Sequence, residues 1–126
     1  MELATFIKTL AKHPALDRSA AALQTADTRL HWKGMVGSAK SLLSLMVAQQ
    51  VPGTHLFILS DKEEAAYFLN DFEGLFPEDK RILFYPASYR VPYQQEQTDN
   101  ANVVARAEVL EKLSDKQNTW VVTYPE

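Results

Sequence analysis

Cysteine is absent from the 126 residues. Disulfides, thiolate nucleophiles and cysteine-held zinc or iron–sulfur centres are therefore excluded. Histidine is scarce: His13, His31 and His55 stand far apart, without metal-ligand spacing. No long apolar run exists. The longest, Leu42 to Ala48, is broken by Ser44 and is far too short to cross a bilayer. The opening Met1-Glu2-Leu3-Ala4 lacks the basic-then-apolar order of a signal peptide. These absences predict a cytoplasmic protein with no membrane partner. Basic excess is missing too. Lys and Arg number 13 against 16 Asp and Glu, a net charge of −3, which excludes a strongly basic nucleic-acid binder. Residues 1–60 hold six basic and three acidic side chains; residues 61–126 hold seven and thirteen. A broad phosphate-binding face is excluded from the acidic half. A single phosphate pocket in the first half is not.

What is present suits one domain, with 46% hydrophobic and 23% charged residues. Leu3, Phe6, Ile7 and Leu10 recur at helical spacing and predict a helix over 2–12. Pro14 breaks it or starts a second helix over 15–24, with Leu16, Ala20 and Leu23 on one face. Residues 1–27 thus read as a helical lead-in that packs on a main domain spanning 28–126. There, Thr28 to Lys33 alternates like a short strand. A glycine-containing turn and a helix ending near Pro52-Gly53 follow. His55 to Leu59 is an apolar run, predicting a strand covered on both faces. Ser60 can cap the next helix, Glu63 closing a capping box, and Ala65, Phe68, Leu69, Phe72 and Leu75 form its stripe. Arg81 to Tyr85 predicts a third strand. Thr98 or Asp99 opens a helix to about Leu113, with Val103, Ala107, Leu110 and Leu113 facing inward. Thr119 to Tyr124 predicts a fourth strand. Alternating strands and helices predict an α/β fold, a mainly parallel sheet with helices on both faces. A last strand running into the terminus predicts a piece of a longer protein.

One segment could carry chemistry. Gly34-Met35-Val36-Gly37-Ser38-Ala39-Lys40-Ser41 matches the phosphate-loop pattern G-x-x-x-x-G-K-[ST], except that Ala39 stands at the second glycine. Gly34 and Gly37 permit a tight turn. Amides from Gly37 through Ser38 and Ala39 to Ser41 could face phosphate oxygens at a helix N-terminus, Lys40 could reach a terminal phosphate, and the Ser41 hydroxyl could ligate Mg²⁺. Ala39 places a methyl where backbone should approach phosphate closely. Asp61, after the apolar strand, is the nearest acid for a metal's water shell, but a helix cap explains it as well. The strand ending at Thr123 has no acid where a metal or an attacking water would need one. Hydrolysis by this chain alone is therefore not expected. The alternatives are a working nucleotide site and a turn that only shapes a strand-to-helix connection.

Other residues point less far. Tyr85, Tyr89, Arg90 and Tyr93 could stack on single-stranded bases or pack on their own sheet. The lack of local basic charge favours packing. Trp32 and Trp120 read as core strand residues. Asp71, Glu73, Glu78 and Asp79 read as a solvated helix end, and Arg106 with Glu108 and Glu111 as an exposed helix face.

Taken in order, four pieces resemble one family: Gly34 to Ser41; Leu59-Ser60-Asp61-Lys62-Glu63-Glu64-Ala65; Phe84-Tyr85-Pro86-Ala87-Ser88-Tyr89-Arg90-Val91-Pro92-Tyr93; and Val104, Arg106, Val109 and Leu113 leading to Trp120-Val121-Val122-Thr123. The set resembles the N-terminal domain of the bacterial transcription-repair coupling factor, itself similar to the first domain of the excinuclease B protein. It covers residues 28–126. The excinuclease B protein carries an intact phosphate loop and a long DNA-clamping β-hairpin. Ala39 and the short segment Pro86 to Thr98 depart from both, toward the coupling factor.

The resemblance implies a P-loop NTPase-like (RecA-like) partial domain that has lost nucleotide hydrolysis and needs no cofactor of its own. The parent would be an ATP-dependent DNA translocase. It removes stalled RNA polymerase and recruits nucleotide excision repair through the excinuclease A protein, with ATP and Mg²⁺ serving a motor outside residues 1–126. The alternative implied is an active nucleotide-binding half-site of an excinuclease B protein or helicase-like ATPase.

Overall fold

A computed structural model describes residues 2–88, 100–116 and 118–125. Two short helices open the chain, α1 (Leu3–Leu10) and α2 (Pro14–Leu23). Pro14 occupies the first turn of α2, where its missing N–H costs nothing, and the His13 ring accepts the Ala15 amide at 3.2 Å. Then come α3 (Ala39–Gln50), β1 (His55–Ile58), α4 (Lys62–Leu75), β2 (Ile82–Phe84), α5 (Asn100–Ser114) and β3 (Trp120–Thr123). No helix among the described residues is long and apolar enough to cross a membrane.

The three strands form a parallel sheet in the order β1-β3-β2. The last strand in sequence therefore lies in the middle. Its residues alternate between two faces. Trp120 and Val122 meet Ala65, Phe68 and Phe72 of α4 and Leu45 and Ala48 of α3. Val121 faces the other side, where α5 packs against β2 and buries Val109. A second core joins Leu16 and Ala20 of α2 to Met46 and Val47 of α3. α3 is thus covered on two flanks, which explains why Leu42 to Ala48 is apolar nearly all round.

Several expectations need correction. Thr28 to Lys33 is not a strand. Alternation makes a strand only where a ladder partner exists, and none among the described residues pairs with this segment. Trp32 instead donates its indole N–H to Ser19 Oγ at 3.0 Å and packs, half-buried, on the second core. The sheet accordingly has three strands among the described residues. β1 is covered on one face only: Leu56 and Ile58 are 61% and 66% exposed, because α5 stands over β2. The inward face of α5 is also different. Val103, Ala107, Leu110 and Leu113 are exposed, while Asn102, Ala105, Arg106 and Val109 turn toward the sheet. Arg106 lies on this inward flank, where its guanidinium donates to Pro86 O just after β2.

The helix cap moves by one residue. Asp61, rather than Ser60, caps α4, accepting the Glu64 amide at 2.8 Å. The stripe of α4 is as expected, with Ala65, Phe68 and Phe72 buried and Leu69 and Leu75 packed at the margin.

Candidate functional site

The turn before α3 is built by two left-handed glycines, Gly34 at φ +79° and Gly37 at φ +57°. Nothing lies within 4 Å of where a side chain would start at either position. The backbone angle, and not close approach, is what requires glycine here. Ser38 occupies the helix cap position but makes no capping bond. The Ala39 amide donates to Val36 O at 3.2 Å, so one of the amides expected to face phosphate serves the turn itself. Ser41 is only 8% exposed.

Lys40 reaches across to α4. Its Nζ lies 3.5 Å from Glu64 Oε2, with both side chains about half-exposed. Glu64 is held there by the same cap: Asp61 binds its amide, and the Ser60 hydroxyl donates to Asp61 Oδ2 at 3.4 Å. The structure thus brings the lysine of the turn beside the acidic segment after β1, with Glu64 and not Asp61 as its partner. Sequence spacing could not choose between them, because both sit in one helical turn.

These groups border a cleft of about 610 Å³. Met35, Ser38 and Ser41 form one wall, β1 the floor, and Glu64, Tyr67 and Asp71 the other wall. The last three lie three and four residues apart and so share a face of α4. Ala39 spends its amide, Lys40 carries a carboxylate, Asp61 is a cap, and no cluster of three metal-ligating side chains occurs among the described residues. At the end of β3, Thr123 donates its hydroxyl to Tyr85 O at 2.8 Å, and neither Thr123 nor Tyr124 offers a carboxylate.

Two side chains expected to be solvated, Arg106 and Asp79, are instead structural. Arg106 donates to Pro86 O at 2.8 Å and lies 4.3 Å over the Tyr85 ring, fastening α5 to the end of β2. Asp79 is gripped by Arg81 through bonds of 2.6 and 3.0 Å, and Arg81 lies 4.5 Å over Trp120. That guanidinium holds the Asp79 carboxyl below its ordinary range, hydrogen bonding outweighing the cost of burial. The aromatic cluster is only partly visible: Tyr85 packs under Arg106, and Tyr89, Arg90 and Tyr93 lie outside the described residues, as do Thr98 and Asp99.

No protein-family model, characterised protein or solved structure matches the chain.

Proposed function

We propose that residues 1–126 are a non-catalytic scaffold, the excinuclease-like N-terminal domain of a protein that resembles transcription-repair coupling factor, working in the cytoplasm. The Lys40–Glu64 pair carries this reading. A lysine that must meet a phosphate needs its charge free, and here a carboxylate stands 3.5 Å from it. The internal use of the Ala39 amide and the lack of a carboxylate at the end of β3 support the same conclusion. On this reading the domain positions neighbouring segments. RNA polymerase, the excinuclease A protein and double-stranded DNA are partners of the parent, and its ATP-driven motor lies elsewhere.

A titration with labelled ATP and Mg²⁺ tests the proposal. The expected result is no binding tighter than about 1 mM, unchanged by Lys40→Ala. Micromolar binding abolished by that substitution would establish the rival, an active P-loop half-site.

A further inference from the structure

A second hollow, of about 210 Å³, lies between α2 and residues 30–32. Ala15, Arg18 and Ser19 form one wall, spaced three and four residues apart on one flank of α2. Leu30, His31 and Trp32 form the other. The two walls are tied together. Trp32 donates its indole N–H to Ser19 Oγ at 3.0 Å, and its ring packs on the core that Leu16 and Ala20 of α2 help to build.

Every polar side chain of this lining can donate, and none is a carboxylate. Arg18 brings a permanent positive charge and a planar fork of N–H groups. The His31 ring keeps one N–H in either tautomer, and the Ser19 hydroxyl, having accepted the indole N–H, still has its own proton to give. Arg18 is exposed and has no ion-pair partner among the described residues, where the ion pairs are Lys40–Glu64 and Asp79–Arg81. Arg29 and Lys33, on either side of the second wall in sequence, are exposed and without such a partner too. Beside these donors stands apolar surface: Leu30 is 41% exposed and Trp32 is half-buried.

Size and charge choose the occupant. The hollow is smaller than the roughly 300–1,000 Å³ usual for cofactor sites, and it suits a side chain or two. A nucleic-acid strand needs a row of cations along its phosphates, whereas one guanidinium lines this hollow, in a chain of net charge −3. A carboxylate next to an aromatic ring finds what it needs: a guanidinium fork for the carboxylate and the indole with Leu30 for the ring.

We propose that this hollow docks an acidic peptide segment of a partner protein, through an aromatic side chain with Asp or Glu beside it. The ring lies against Leu30 and Trp32, and the carboxylate meets Arg18, with Ser19 and His31 as further donors. The hollow shares no lining residue with the larger cleft, so the proposal is independent of whether the glycine turn holds a nucleotide.

The probe is a capped, labelled heptapeptide, Gly-Ser-Asp-Phe-Asp-Ser-Gly, followed by fluorescence anisotropy. Saturable binding at about 0.5 mM or tighter is expected. Arg18→Glu changes an exposed side chain, so the fold should survive, while affinity falls at least about tenfold, the worth of one charged hydrogen bond. Gly-Ser-Lys-Phe-Lys-Ser-Gly should bind Arg18→Glu better than it binds wild type. In NMR of the wild type, the Trp32 indole N–H signal should shift saturably with the acidic peptide, while that of Trp120, only 1% exposed, stays. Absence of saturable binding overturns the proposal. So does equal binding of the acidic peptide to wild type and Arg18→Glu, a Trp32 signal that does not move, or a single-stranded oligonucleotide that binds more tightly than the peptide and displaces it.

Discussion

The two sides of β1 differ sharply. Toward β3 and α4, the apolar side chains have partners: Phe57 lies 4.9 Å from Phe68, and Trp120 stands edge-on to Phe57, Phe72 and His55. Toward the cleft, the backbone groups of Leu56 and Ile58 are unpaired among the described residues, and both side chains are exposed. The first side is a finished core, and the second is open among the described residues. The phosphate-like turn lies on the unfinished side. Its residues are consequently arranged by local turns and one surface ion pair, not by a packed framework.

Substitutions can break or sharpen that contrast. Phe72→Ala removes a fully buried ring from the finished side and should cost about 3–5 kcal/mol in urea denaturation, most of a small domain's stability. Leu16→Ala, in the second core, should cost about 2–5 kcal/mol and thereby show that α2 is part of the folded unit. If either variant unfolds at the wild-type midpoint, the cores are not as described.

Asp79→Asn should have a smaller effect, under about 1 kcal/mol, because Arg81 is substantially exposed. The sign with pH follows from the lowered carboxyl value. The contribution is present above the unfolded value near about 4 and is lost as pH falls through the lower folded value. The difference between wild type and Asp79→Asn should therefore close in acid. A gap that widens there would refute the pairing. Leu56→Ser, on the unfinished side, should change stability by no more than about 0.5 kcal/mol.

Much of the fold was legible because its signals were local. The stripe of α4 needs only helical spacing, and the apolar run from Trp120 marks a buried strand. The failures share one cause. Whether Thr28 to Lys33 becomes a strand, whether β1 has two covered faces, and which flank of α5 turns inward all depend on what lies beside them. Spacing carries no such information: α5 has two partly apolar flanks, and the sheet took the one that brings Arg106 to Pro86 and Tyr85. The site was legible as a list, Gly34 to Ser41, but its decisive feature was not. Glu64, in the first turn of the helix that Asp61 caps, meets Lys40 across 24 residues of sequence.

The claim that this turn shapes the chain without holding nucleotide is tested most directly by amide NMR of Gly37, Ser38, Lys40 and Ser41 during addition of ATP with Mg²⁺. The account predicts that these signals move no more than in an ionic-strength control, in wild type and in Lys40→Ala alike. Saturating shifts at micromolar nucleotide, confined to these amides and lost in Lys40→Ala, would contradict it.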